Sequence, residues 1–136
     1  MPTHRDTVKS FKLRKWQPPE KKEQEALAEW LTLKGILFFA IANGGKRDVV
    51  TAVNLKRSGV KAGVPDLMIP IPRRHWHGLF IEMKRRDGGI TSKEQLQWIK
   101  WLRDQGYCAE VCCGFDQAVK LIEDYFSDKE REMDKA

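Results

Sequence analysis

The sequence predicts an α/β domain, a small mixed sheet with helices packed against it. Three observations point there. Short apolar runs bounded by Gly, Pro or Asn-Gly, at 36–41, 66–71, 79–84 and 109–113, have the length of strands. Longer stretches at 20–34, 92–105 and 116–126 place apolar residues at helical spacing. Their order is helix, strand, strand, strand, helix, strand, helix, which suits a sheet covered by helices.

Each element has local signals. Residues 1–17 carry Arg5, Lys9, Lys12, Arg14 and Lys15 with little apolar pattern and read as a flexible basic arm. Pro18-Pro19 sets up a helix start, with Glu20 in the first turn where the helix dipole favours an anion. Gln24, Leu27, Trp30 or Leu31, and Lys34 then recur at helical spacing, and Gly35 is a C-terminal stop. The run 36–41 is short, apolar and aromatic, so a buried strand is expected, broken by Asn43-Gly44-Gly45. Residues 46–63 are polar, basic and punctuated by glycine, with a short helix over 50–57. Pro65 and Pro72 bracket the next strand, and the basic loop from Arg73 to Gly78 leads into the strand 79–84. After Asp87-Gly88-Gly89, Thr91 or Ser92 caps a helix, and Ser92-x-x-Gln95 has capping-box spacing. Gly106 ends that helix, a strand follows at 109–113, and Asp116 is expected to cap the last helix. The expected domain is 18–126, with a charged, frayed tail at 127–136.

Composition narrows the function. The 136 residues are 41% hydrophobic and 32% charged, ordinary for one globular domain with its own core. Lys and Arg number 25 against 19 Asp and Glu, a net +6 that favours a polyanionic partner. The N-terminus shows no secretory pattern, and the longest apolar run falls far short of the roughly 20 residues of a membrane helix. Cys108, Cys112 and Cys113 form neither a disulfide framework nor a zinc site, and read as small buried hydrophobes in a reducing cytoplasm. His75 and His77 lack spaced partners for zinc. A glycine-rich phosphate loop, which a hydrolase of small phosphate compounds would favour, is missing.

The chemistry concentrates at Glu82 and Lys84. Residues two apart in a strand share a face, so both side chains leave the sheet together with Phe80, while Leu79, Ile81 and Met83 take the other face. Alone, the pair also fits a solvated edge with an ion pair worth under about 1 kcal/mol. Asp66 shifts the balance. It heads the neighbouring strand, and a hairpin pairing of the two strands brings both carboxylates to one end of the sheet. Two hard oxygen anions beside a lysine suit Mg²⁺ or Mn²⁺, which polarise a phosphoryl oxygen and acidify a bound water. Lys84 then orients that water or offsets charge in the transition state. Lys46, Arg47, Lys56, Arg57 and Lys61 bracket the approach to Asp66 and read as a groove tracking a phosphate backbone, extended by Arg73, Arg74, Arg85 and Arg86. Trp30, Trp98 and Trp101 lie on helices among Leu and Ile and are expected in a core or interface. Trp76, in a loop, is the candidate for stacking on a base.

Pro65-Asp66 followed by Glu82-Met83-Lys84 resembles the PD-(D/E)xK motif of that nuclease superfamily. More narrowly, Asn43-Gly44-Gly45, the run from Gly59 to Leu67, Phe80-Ile81-Glu82-Met83-Lys84 and Ser92-x-x-Gln95 resemble the VRR-NUC family. The resemblance implies a restriction-endonuclease-like αβββαβ core and a metal-dependent DNA nuclease with Asp66, Glu82 and Lys84 at its centre. It implies that Asp66, Glu82 and the Met83 carbonyl ligate Mg²⁺ or Mn²⁺. A glutamate of the first helix joins them, Glu20 by first choice or Glu23, although a helix-start anion is the alternative role for Glu20. Gln95 supports Lys84 or the attacking water, or else serves only as cap partner of Ser92. Asn43 joins the basic residues as an expected DNA contact. Stand-alone members resemble junction-resolving enzymes, which suggests branched DNA, a cytoplasmic location and a homodimer, with Trp98, Trp101, Tyr125 and Phe126 as apolar interface material. The rival is a catalytically silent nucleic-acid-binding protein of the same fold, although a pure binder has no need to gather like charges.

Overall fold

The computed structural model describes residues 16–42 and 49–128. Most of the basic arm, Asn43, Lys46 and Arg47, and the tail from 129 onward lie outside the described residues. The elements are α1 (Glu20–Leu33), β1 (Phe39–Ala40), α2 (Val49–Arg57), β2 (Leu67–Ile69), β3 (Leu79–Lys84), α3 (Lys93–Asp104), β4 (Cys108–Cys113) and α4 (Phe115–Phe126). The strands form one sheet in the order β1-β2-β3-β4. β1 pairs antiparallel with β2 and β2 antiparallel with β3, whereas β3 and β4 run parallel and are joined through α3. A parallel pair needs such a crossover because a short turn cannot return the chain to the same end of the sheet.

Strand alternation sets the two faces. Leu67, Ile69, Leu79, Ile81 and Met83 point to one side, where Leu27 and Leu31 of α1 and Leu121, Ile122 and Tyr125 of α4 close the main core. Phe80 points to the other, against Ala109 and Ile99 of α3. The whole of β3 is therefore buried, as expected of a central strand with helices on both faces. Glu82 and Lys84 lie on the α3 side, beneath cover rather than at a solvated edge.

Several expectations change in three dimensions. Of 36–41 only Phe39 and Ala40 form a strand, and both are exposed. They make an outer strand of the sheet, paired among the described residues with β2 alone, while Ile36 and Phe38 turn in against the core. Asp116 does not cap α4. The cap position is Gly114, and the Phe115 N–H donates to the Glu23 carboxylate of α1. Glu23, itself buried, also pairs with Arg86, so it ties α1 to the end of β3 and the start of α4. Tyr125 is fully buried and its hydroxyl donates to the Ile71 carbonyl, while Phe126 packs on the core. Tyr125 is therefore not available as the interface material the sequence suggested, whereas Phe126 is only partly buried. Cys108 and Cys112 are buried, as expected of small hydrophobes, whereas Cys113 is only partly buried.

Gly63 governs how the loop between α2 and β2 meets α3. Its φ is +89°, and a Cβ there would lie 2.5 Å from the Glu94 backbone carbon and 2.8 Å from the Gln95 nitrogen. Gly59 has φ +102° with open space around it. Both substitutions carry a backbone penalty, but only one also collides with a helix. Gly63→Ala is expected to cost about 3 kcal/mol and Gly59→Ala about 1 kcal/mol in urea unfolding. Equal losses would show that the loop does not depend on this close approach.

Candidate active site

The register of β2 against β3 builds the site. Leu67 faces Ile81 and Ile69 faces Leu79. One residue further along, the same register sets Asp66 opposite Glu82, on the face shared with Met68 and Phe80. Cross-strand neighbours of this kind have Cβ atoms about 5 Å apart. Glu20, the first residue of α1, completes the group: one carboxylate oxygen each from Glu20, Asp66 and Glu82 lie within 4.8 Å of one another. Glu23, one turn further along α1, points into its contacts with Arg86 and Phe115 and lies outside the cluster.

Gln95 links the centre to the start of α3. Its Oε1 accepts from Lys84 Nζ at 3.0 Å and from the Ser92 N–H at 2.9 Å. Its Nε2 donates to Glu82 Oε1 at 2.7 Å. Its own N–H donates to Ser92 Oγ, so the capping box is complete. The two roles left open by the sequence, cap partner and support of Lys84, are filled at once. The amide can point only one way, because a flip would set its NH₂ against the lysine ammonium. Lys84, also buried, lies 3.6 Å from Glu82 Oε1.

The electrostatics leave this centre short of a cation. Burial, the Asp66 charge and the Glu20 charge push Glu82 from its ordinary 4.5 to about 8, against the opposing pull of Lys84. Burial also raises Asp66, offset in part by the Met83 N–H that donates to its Oδ2 at 2.7 Å. Glu82 Oε2 is buried and accepts no hydrogen bond from any described residue, an arrangement that is costly unless something else binds there. The backbone adds a further donor. Continued along the strand, the register puts Pro65 opposite Met83, and proline has no N–H to give the Met83 carbonyl. Since N–H and C=O of one strand residue point the same way, that carbonyl is turned toward the Asp66 side. Two to three carboxylates and a carbonyl are the oxygen donors that Mg²⁺ or Mn²⁺ prefer, so the residues fit such an ion.

The remaining candidates separate. Lys56 and Arg57 are exposed in the last turn of α2, and Lys61 is exposed on the following loop. Arg73 sits over the Phe126 ring at 4.8 Å, Arg74 donates to the carbonyls of Tyr125 and Ser127, and Arg86 holds Glu23. These three have structural partners that charge counting missed. Trp76 is partly buried against the core and touches His75, whereas Trp101, assigned to packing by its helix, is 50% exposed. Among the described residues, neither histidine belongs to a group of side chains spaced to share an ion.

A mixed sheet that brings an aspartate and the two ends of Glu-x-Lys to one place defines a PD-(D/E)xK-type nuclease fold. The comparisons narrow it: the VRR-NUC domain matches residues 18–116, and the chain belongs to that family. A solved structure described as a VRR_NUC domain protein is similar at 31% identity and a TM-score of 0.62, over 81% of this chain and 89% of that one. No curated protein matches. The family is one of nuclease-type, DNA-processing domains. No helix among the described residues is long and apolar enough to cross a membrane.

A carboxyl raised on folding binds its proton more tightly in the folded chain than in the unfolded one. Stability without metal therefore falls as pH rises from about 4.5 through about 8. Glu82→Gln is expected to raise the metal-free Tm at pH 8 by about 5 °C and to have little effect at pH 4.5. Mn²⁺ should stabilise the parent chain at pH 8 and the variant far less. A Tm gain that ignores pH would remove the charge explanation.

Proposed function

We propose that this chain is a Mg²⁺- or Mn²⁺-dependent endonuclease that hydrolyses DNA phosphodiesters, acts on branched DNA and works as a homodimer. The observation that carries the reading is the convergence of Glu20, Asp66 and Glu82 beside a buried lysine, with Glu82 Oε2 left unpartnered. Asp66, Glu82, Glu20 and the Met83 carbonyl would hold the ion. When bound, it supplies a Lewis acid for the phosphoryl group and a water acidic enough to ionise near neutral pH. Lys84 presents its ammonium where negative charge builds on the phosphate oxygens and orients the attacking water. Gln95 holds Lys84 and Glu82 at fixed distance, so neither has to reorganise during the reaction. Water oxygen bonds to phosphorus, the bond to the leaving oxygen breaks, and that oxygen takes a proton, leaving a phosphate monoester and a hydroxyl. Lys56, Arg57 and Lys61, with Asn43, Lys46 and Arg47, are assigned to the DNA backbone.

The dimer rests on symmetry and on exposed surface. A four-way junction offers two scissile phosphates related by a twofold axis, and a twofold dimer presents one site to each. Leu33 at the end of α1, Leu37 in the connection that follows and Phe39 on β1, an outer strand of the sheet, are exposed. Apolar side chains on an outer strand are a ready surface for a second copy.

Asp66→Asn, Glu82→Gln and Lys84→Met are each expected to cut cleavage of a flap or four-way DNA by at least about 100-fold. Ca²⁺ should support binding without cleavage. Parental rates in any of the three would place the chemistry elsewhere, and silence of the parent chain with both Mg²⁺ and Mn²⁺ would favour the binding-only reading. Light scattering at micromolar concentration should give a dimer, and Phe39→Asp a monomer with reduced preference for the junction. A parent chain that is monomeric with and without junction DNA, and cuts linear duplex equally well, would sink the resolvase while leaving the nuclease.

A further inference from the structure

Beside the acidic centre lies a second cleft, of about 440 Å³, whose walls include Trp98, Trp101, Gln97, Lys61 and Lys93. It shares Ala62 and Glu94 with the cavity that holds Glu20, Asp66 and Glu82, so the two adjoin. Its size is that of a small-molecule site. Trp98 and Trp101 stand nearly perpendicular, 5.2 Å between ring centres at 89°, and form an aromatic corner. Trp101 keeps half its surface exposed beside Trp98, so an aromatic face is open to a ligand.

We infer that this cleft binds one unstacked nucleobase of the DNA strand being cut, with the adjoining phosphates on Lys61 and Lys93. The inference rests on the nuclease reading and names a substrate feature of the same site. An aromatic face accepts any base by stacking, and the flanking ammonium groups suit the chain of phosphates on either side. Gln97 adds an amide able to donate to and accept from a base edge. Bases in intact duplex are stacked on their neighbours and cannot enter, whereas a base at a flap, a junction or a single-stranded end can turn out at little cost. The cleft thus gives a physical source for selection of branched over linear DNA. A second copy of this chain is the competing occupant. It fits less well, because a subunit seated here would lie against Ala62 and Glu94, which also line the acidic cavity.

The test is binding of a fluorescent flap DNA in Ca²⁺, with one abasic nucleotide moved stepwise through the branch point. At one position, loss of the base should weaken binding to the parent chain by about tenfold and leave Trp101→Ala, already weakened by a similar factor, unchanged. Trp101→Phe should restore most of the base-dependent gain. An abasic scan that costs the parent and Trp101→Ala equally at every position would overturn the proposal. So would a Trp101→Ala chain that light scattering shows has lost its dimer without any base-dependent difference, since the cleft would then be an interface between copies. Cleavage in Mg²⁺ or Mn²⁺ is scored separately: a chain that passes the abasic scan but cuts no DNA fails as a nuclease and keeps its base site.

Discussion

The antiparallel register of β2 on β3 is the constraint on which the rest of the site depends. Leu67 against Ile81 and Ile69 against Leu79 bury their side chains beneath α1 and α4. The same alignment places Asp66 opposite Glu82 and Pro65 opposite Met83. Side chains alternate with a period of two, so a slip of one residue would turn the apolar set out of the core and carry Asp66 to the wrong face. The hydrophobic core thereby holds the carboxylates together, although they repel each other. Proline at 65 matters for what it lacks: without an N–H it leaves the Met83 carbonyl free of the ladder, while the Asp66 carboxylate takes the Met83 N–H.

Gathering like charges under cover works against the fold. Burial and the neighbouring acids push Glu82 to about 8 despite Lys84, and perturbation of this kind is common where a site serves function rather than stability. The surroundings offset part of the strain. Gln95 satisfies one oxygen of Glu82 and one proton of Lys84 while it caps α3. Glu23 takes no part in the cluster, yet by holding Arg86 and the Phe115 N–H it anchors α1 one turn below Glu20. Its effect on the site is therefore one of position.

Much of this was legible in the residues, for identifiable reasons. The strand 79–84 and its two faces follow from alternation alone, and Ser92-x-x-Gln95 marks the start of α3 through contacts local in sequence. What escaped was set by distant parts of the chain. Apolar content at 36–41 does not say which strand lies outermost, and so predicted a buried strand where Phe39 is exposed. The acid capping α4 comes from α1, far away in sequence, and so Asp116 was the nearer choice. Gln95 has two roles open in the sequence because no local pattern reveals that Lys84 and Ser92 approach the same oxygen. Trp101 lies on an amphipathic helix among Leu and Ile. The helical pattern left it between core and interface, and its half exposure takes it out of the core.

The central claim is that Glu20, Asp66 and Glu82 form one divalent-cation site. Diffraction from crystals soaked in Mn²⁺, recorded at a wavelength where manganese scatters anomalously, tests it most directly. An anomalous peak bounded by these three carboxylates is expected, with the Met83 carbonyl among its ligands and Glu23 outside them. A saturating soak that leaves the three carboxylates without manganese, or that seats the ion elsewhere on the chain, would contradict it.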